Sequence, residues 1–458
     1  MDEIRLRDID AFIGAEKNHI IRDIARLVAI NSVEGKPEEG APYGRAAREA
    51  LGLGLEIAQE LGLSVRNCED RIGYAQIGEA EDYLATITHV DVVPAGEGWT
   101  GDPFTLRERD GYLIGRGVMD DKGPSVLCLY ALKYLKDRRL PLRYSVRAIL
   151  GSNEETGMGD VRYYLDNYPA PVFCFSPDSG FPVCNGEKGI FRGRIVSRTK
   201  LDRIADIRGG IAGNVVPDKA EAWIRGERPE ASERVSVEAA GELWHLTARG
   251  VGGHASTPKG TVNAIGVLVD YLLEKKLVGR EEEDFLRLLT LLHQNWDGSG
   301  LGVQADDGNF EPLTIIGGVI GVEDGHIFQT LDSRYPTNTN GEKICAQIRT
   351  KAGDLAEVRL ESDAEPFYMS LDNPAVKTLT EVYNGVTGDE AKPYTMGGGT
   401  YARDFPNGVS FGPEHPERPA PDFAGPIHGA DEAACWAYFE EALKIYILAL
   451  IELEKLDF

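Results

Sequence analysis

Positive charge is scarce in this chain: 49 Lys and Arg stand against 74 Asp and Glu, a formal net charge of −25. Such a surface repels phosphate backbones and anionic bilayers, so neither nucleic acid nor a membrane is expected as a partner. Cysteine is also scarce. The six cysteines, at 68, 128, 174, 184, 345 and 435, are scattered and form no C-x-x-C pair. That argues against a cysteine-built zinc site and, at this size, against a disulfide framework. No apolar run approaches the ~20 residues needed to span a bilayer. The opening MDEIRLRDIDAFIGAEKN has no basic start followed by an apolar core, so it does not read as a signal peptide. Internal repeats and low-complexity tracts are missing too. The expectation is a soluble protein of a reducing, cytoplasmic setting.

What is there is ordinary globular material: 458 residues, 42% hydrophobic and 27% charged, enough for two or about three domains. Apolar residues at helical spacing predict helices over 7–31 and 43–61. Strand-like runs follow in SVRNCE, GYAQIG and YLATITHVDVV. DDKGPSVLCLYALKYLKD reads as a helix, LRYSVRAILG as a strand, DVRYYLDNY as a short helix and PVFCFSP as a strand. Alternation of this kind argues for an α/β layer around a mostly parallel or mixed sheet. After about Glu187 the texture changes to Gly-rich loops and scattered strands, with one clear helix, NAIGVLVDYLLEKKL. From about Pro366 the α/β texture returns, with helices in NPAVKTLTEVYNGVTG and EAACWAYFEEALKIYILALIELEK. The simplest arrangement is one domain, 1–187 and 365–458, split by an inserted second domain, 188–364.

Four apolar runs end in acids or histidine: YLATIT in His89-Val90-Asp91, GYLIGRGVM in Asp120-Asp121, LRYSVRAILGSN in Glu154-Glu155, and PVFCFSP in Asp178. Ligands in open α/β sheets gather at the carboxyl ends of strands. On a strand His89 and Asp91 share a side, and a carboxylate beside an imidazole supports a metal ligand. Taken alone, the pair is equally a polar strand end. At a strand-to-loop bend Glu154 and Glu155 can approach one site, one as a ligand and the other as a base toward a water that a metal acidifies. They serve as well as acids favouring the dipole of the helix that follows. His428, in GPIHGADEAACW, is the last candidate. His89, Asp120, Glu155, Asp178 and His428 together make five N/O donors, too many for one tetrahedral zinc. They suit two ions roughly 3.5–4 Å apart sharing a bridging carboxylate.

The segments THVDVVPAGEGWTGDPF, GRGVMDDKGP, GSNEETG, FSPDSGFP, GGHASTP, GGGTYARDF and IHGADE resemble, in order and over most of the chain, the co-catalytic dinuclear zinc peptidase family of aminoacylase, carnosinase and PepV-type dipeptidases. FSPDSGFPVCNGEKGIF, GNVVP, DSRYPTN and GGGTYAR resemble its PepV-type, or Sapep-type, bacterial branch. The resemblance implies a zinc-exopeptidase-like α/β catalytic domain with an inserted α+β lid. It implies two divalent ions per chain, zinc first, with manganese or cobalt accepted by the same donors. Asp120 would bridge them, His89 and Asp178 completing one shell, Glu155 and His428 the other. Glu154 would be the general base, Asp91 the partner of a histidine ligand, and His254 the group that stabilises the oxyanion. Asn214, Arg334, Gly398 and Gly399 would hold the substrate, with Arg334 on a terminal carboxylate. The Asp120–Asp121 peptide would be cis.

Within the family, aspartate at 178, where carboxypeptidases and many deacylases carry glutamate, favours peptides with a free amino group. In PepV-like members the extra length of the insert resembles a second lid half, so the resemblance implies that His254 acts within its own chain and that the protein is a monomer. The activity implied is metal-dependent hydrolysis of dipeptides. An N-acyl amino-acid deacylase, of the succinyl-diaminopimelate desuccinylase or aminoacylase type, is the alternative on the same site. A non-catalytic binding protein would have lost Glu154 or a ligand, and none is missing. GVGGHA, Gly250 to Ala255, with Asp270 about 20 residues on, mimics a dinucleotide fingerprint, but Pro258 and Gly260 delay the helix it would have to open.

Overall fold

Every residue of the strand Tyr83–His89 is buried, as a strand covered on both faces must be. In the computed structural model, which describes residues 3–458, this strand is central to a mixed sheet. It pairs in parallel with Ser145–Gly151 on one side, from Tyr83↔Ser145 to His89↔Gly151, and with Phe173–Ser176 on the other. Gly408–Ser410 extends the parallel set beyond Phe173–Ser176. Beyond Ser145–Gly151 the pairing turns antiparallel, through Ile72–Ile77 to Ser64–Cys68. The strands that follow Tyr83–His89 in sequence therefore lie on opposite sides of it. That makes its carboxyl end a switch point, where an α/β sheet opens a crevice.

Side-chain alternation sorts the two faces. Tyr83, Ala85 and Ile87 pack with Ile149, Val161, Tyr164, Tyr401 and Phe405, beneath the helix Gly159–Asn167. On the other face, Ala50, Leu51 and Leu55 of the helix Arg45–Glu60 meet Val90 and Leu150. The helix Lys122–Asp137 packs on Tyr83–His89 and Ser145–Gly151, and Trp436–Leu453 packs on Lys122–Asp137. Ile87 is fully buried, so truncating it to alanine would cost about 2–5 kcal/mol. Among the described residues no helix is long and apolar enough to cross a membrane.

The chain divides into two compact units, Met1–Asn185 with Met369–Tyr394 and Gly399–Phe458, and Gly186–Tyr368 with Thr395–Gly398. The sequence division at 187/188 and 364/365 left out the last piece, so Gly398 belongs with the insert. The inserted unit is an antiparallel sheet in which Gly189–Lys200 pairs with His326–Tyr335 and with Ala356–Ala364. The sheet continues through Ile320–Glu323, Ile204–Gly209, Lys219–Ile224, Leu243–Arg249 and Val235–Ala240.

Three helices occur in this unit, where the sequence reading found one: Ala264–Glu274, Arg280–His293 and Gly341–Ala352. Arg280–His293 was hidden by its acidic start. Glu282 is buried there because its carboxylate accepts the amides of Gly279, Asp202, Arg203 and Ile204, which joins the helix to the sheet. The GVGGHA glycines lie in a two-residue strand pairing and its flanking turns, and the next helix begins only at Ala264. A dinucleotide pyrophosphate would find no helix N-terminus at these glycines.

Candidate active site

Three of the acidic runs do end at neighbouring parallel strands. His89 closes Tyr83–His89, Glu154 and Glu155 follow Ser145–Gly151, and Asp178 follows Phe173–Ser176. The fourth differs from the sequence reading. The strand before Asp120 stops at Ile114, and Asp120 sits on a turn entering the helix Lys122–Asp137. That short strand belongs to a separate three-stranded sheet, paired with Ala433–Cys435 and Arg107–Arg109.

The turn carrying Asp120 is fixed by a residue the sequence reading did not single out. Glu432 is fully buried, and its carboxylate accepts the amides of Gly117 (3.1 Å), Met119 (3.0 Å) and Asp120 (3.2 Å). The Arg116 guanidinium donates to it at 2.6 Å and neutralises it. The Asp120–Asp121 peptide is cis. Asp121 accepts the His89 amide at 3.1 Å.

The side chains converge. His89 Nε2 lies 3.0 Å from Asp120 Oδ1 and 3.9 Å from Asp178 Oδ2. His428 Nε2 lies 2.8 Å from the other oxygen of Asp120 and 3.2 Å from Glu155 Oε1. One carboxylate thus faces two imidazoles. Donor atoms of His89, Glu154 and Asp178 lie within 4.8 Å of one another, as do those of His89, Asp120 and Glu155.

Asp91 answers why two glutamates stand side by side. Its Oδ1 accepts the Glu154 amide at 3.2 Å and its Oδ2 the Glu155 amide at 3.1 Å, so one carboxylate sets both backbones. Asp91 also meets His89 Nδ1, more closely through its carbonyl (3.1 Å) than through its carboxylate (3.4 Å). A carbonyl only accepts, so Nδ1 carries the proton and Nε2 turns its lone pair to the acids. Behind the loop, buried Asp160 accepts the Ser152 and Asn153 amides at 2.6 and 3.0 Å and the Tyr401 hydroxyl. Like Glu432, it was not singled out in the sequence.

Charge is frustrated here. Partial burial and the Asp178 carboxylate beside it push Glu154 well above the usual carboxylate range; burial and Asp120 do the same to Asp178. Burial also works against ionised Asp120, but the His428 and His89 imidazoles beside it hold it low. The Asp120 and Glu155 carboxylates push His428 up to about 11. His89 Nε2 and Glu155 Oε1 are buried with no hydrogen-bond partner. Lone pairs of nitrogen and oxygen left unpaired in a cluster of like charges fit divalent cations, and the donor set suits zinc, manganese or cobalt.

In the inserted unit Asn214, His254 and Arg334 are held by contacts through Ala255, Ser256 and Gly397. Asn214 precedes Val215–Val216, which pairs with Gly253–His254, and its carbonyl accepts the Ala255 amide at 2.9 Å. The Ser256 amide donates to His254 Nδ1 at 3.2 Å, so the ring's proton is on Nε2. A Cβ on Gly397 would come within 2.7 Å of the Ser256 Cβ, so only glycine allows that approach. Arg334 donates to the Gly397 carbonyl (2.9 Å) and to both oxygens of Asp332. It is buried and oriented, with N–H groups still to offer. A Cβ at Gly398 would meet only the Met396 sulfur, at 4.0 Å, whereas Gly399, in the split unit, has the Arg403 side chain beside it.

Residues 85–452 match the family described as Peptidase family M20/M25/M40. A putative dipeptidase, YtjP, of Bacillus subtilis (strain 168) is 33% identical, over 96% of this chain and 98% of its own. A Beta-Ala-Xaa dipeptidase of Lactobacillus delbrueckii subsp. lactis is 32% identical, over 96% and 97%. Among solved structures, human carnosine dipeptidase 1 superposes with a TM-score of 0.61 at 15% identity, covering 98% of this chain and 99% of that one. An M20 family metallo-carboxypeptidase from Sulfolobus solfataricus gives 0.58 at 17% identity, covering 95% and 99%. At such identities the two structures speak for the fold alone.

Proposed function

This chain belongs to peptidase family M20/M25/M40, and on that premise we propose that it is a metal-dependent dipeptidase, acting on short peptides with a free amino terminus. The observation that carries the proposal is the Asp120 carboxylate facing His89 with one oxygen and His428 with the other. Glu155 lies beside His428 and Asp178 beside His89. That is the donor arrangement two ions sharing one carboxylate require. We assign Asp120 as the bridge, His89 and Asp178 to one ion, and Glu155 and His428 to the other, with zinc as the first choice. The relatives' names, a putative dipeptidase and a Beta-Ala-Xaa dipeptidase, support the substrate class.

Bound divalent ions would supply Lewis acidity, bringing a water's pKa toward neutrality and polarising a carbonyl. The chain's own residues do the rest. Glu154 takes the proton of the attacking water on its carboxylate and hands it to the departing amine nitrogen. Asp91 keeps Glu154 and Glu155 in register by holding both amides. His254, protonated on Nε2, is assigned to hydrogen-bond the carbonyl oxygen as it gains charge. Asn214, Arg334, Gly398 and Gly399 are assigned to the peptide's backbone and ends, with Arg334 for the terminal carboxylate. The working form is proposed to be a cytoplasmic monomer.

The test is a panel of free dipeptides beside N-acyl amino acids, assayed before and after chelation and with zinc or manganese restored. Chelator-sensitive cleavage of the free dipeptides is expected. Cleavage of the N-acyl compounds alone would make the protein a deacylase on the same site.

A further inference from the structure

Glu414 is an acid that the assigned machinery does not use. It lies in SFGPEHP, just past the strand Gly408–Ser410, at the same edge of the sheet as the other site residues. Its backbone is pinned to the segment that follows Asp178. Pro413 pairs in parallel with Ser179 and Glu414 with Gly180, and the Phe181 amide donates to the Glu414 carbonyl at 2.8 Å. Paired residues of neighbouring strands project to the same face, and here the partner is a glycine, so no cross-strand side chain stands beside Glu414. The space beside Gly180 is bounded by the Tyr394 hydroxyl, 3.2 Å from where a Cβ would stand, and by Pro416.

Glu414 is partly buried, yet among the described residues no hydrogen bond or ion pair to its carboxylate occurs. Burial and the field of Asp120 push it up to about 7, with His428 opposing and Glu432 adding to the push. It also raises Asp178 in turn. Glu414 thus stands at the sheet edge beside the segment that follows Asp178, and no donor of the chain satisfies its carboxylate.

We propose that Glu414 receives the free α-ammonium of the substrate and so selects free-amine peptides over N-acylated ones. The inference rests on the dipeptidase reading above and deepens it. A partly desolvated carboxylate left unpaired costs stability unless a cation completes it. Charge balance indicates which cation. Two dications, the three ligand carboxylates and ionised Glu154 already neutralise one another. An ammonium brought next to them needs one further negative charge, and Glu414 supplies it. An N-acyl group brings no positive charge and would leave Glu414 unpaired, which is how a polar site rejects an analogue lacking the group it was built for.

The experiment uses two non-hydrolysable phosphinic analogues of glycyl-leucine, one with the amino group and one without. They are titrated calorimetrically into the metal-loaded wild type and Glu414→Gln, with metal content measured by mass spectrometry and glycyl-leucine cleavage assayed alongside. Glu414→Gln should weaken the amino analogue by at least about 30-fold, the scale of a lost buried charge pair. It should leave the des-amino analogue within about 3-fold and both metals in place. Equal weakening of both analogues, or no weakening of the amino one, overturns the assignment. Loss of a metal in Glu414→Gln overturns it as well, by making Glu414 a ligand. If the wild type cleaves no free dipeptide, the dipeptidase reading fails and this one falls with it.

Discussion

The two units hold their functional side chains by different means. In the split unit, buried carboxylates grip backbone amides, two of them from residues distant in sequence. Asp91 holds Glu154 and Glu155, Glu432 holds the Asp120 turn, and Asp160 holds Ser152 and Asn153. In the inserted unit, strand pairing and close packing do the holding. His254 pairs with Val215, Ser256 bears on Gly397, and Arg334 is oriented by Asp332. The first arrangement suits a site that must keep several like charges together, because each holding acid is neutralised by N–H donors instead of by the metal ligands. The second positions groups that need only a direction. Substitutions should therefore split cleanly between those that act on the metals and those that leave the metals alone.

The largest effect expected is from Glu154→Ala. It removes the proposed base and no assigned ligand, so kcat should fall by about 10²–10⁴-fold, the usual range for positioned acid–base groups. Bound metal, counted by mass spectrometry, should be unchanged. Substantial residual turnover would sink the mechanism, and metal loss would show Glu154 to be a ligand.

On the other side of the comparison, His254→Ala should lower kcat by about 10²–10³-fold, the usual cost of one oxyanion donor, again with full metal content. An effect confined to metal content would remove His254 from the chemistry. His428→Ala should bind one ion fewer, and an unchanged count would refute that assignment. Glu432→Gln keeps the size and loses the charge that orders the Asp120 turn. Metal affinity should weaken about 10–100-fold, as for other residues that orient ligands, with the remaining activity restored at high metal concentration. Failure of added metal to restore activity would mean that Glu432 does more than orient Asp120.

Much of this was legible before the structure. Tyr83–His89, Ser145–Gly151 and Phe173–Ser176 announce themselves as apolar runs, and the acids at their ends follow from the open edge of a parallel sheet. Glu432 and Asp160 were not legible. Glu432 accepts amides some three hundred positions earlier, and Asp160 joins the loop just before it to the distant Tyr401 hydroxyl, and nothing local marks a glutamate or aspartate for either task. The Asp120 turn was misread as a strand end because GYLIGRGVM is apolar enough for a strand, while the glycines and the tie to Glu432 bend it into a turn. The helix Arg280–His293 was missed because REEED reads as solvated charge. Glu282, buried and accepting four amides, is instead the point at which that helix is tied in.

The smallest predicted effect concerns stability and belongs to the inserted unit. His293 closes the helix Arg280–His293 and donates from Nε2 to the side-chain oxygen of Gln329 at 3.3 Å. Gly266 and Gly317 press on its ring, each leaving no room for a Cβ. Burial pushes its pKa down to about 4, below the ~6.5 of an unfolded histidine. The unfolded chain then binds the extra proton first, so stability falls as the pH drops from about 6.5 toward about 4 and is unaffected above that window. At pH 5 the loss is at most about 2 kcal/mol, less because His293 is only partly buried. His293→Gln has no such proton to bind. Its melting temperature should start lower than the wild type's at pH 7 and close the gap by pH 5. A gap that stays constant with pH would show that His293 is not held neutral by its surroundings.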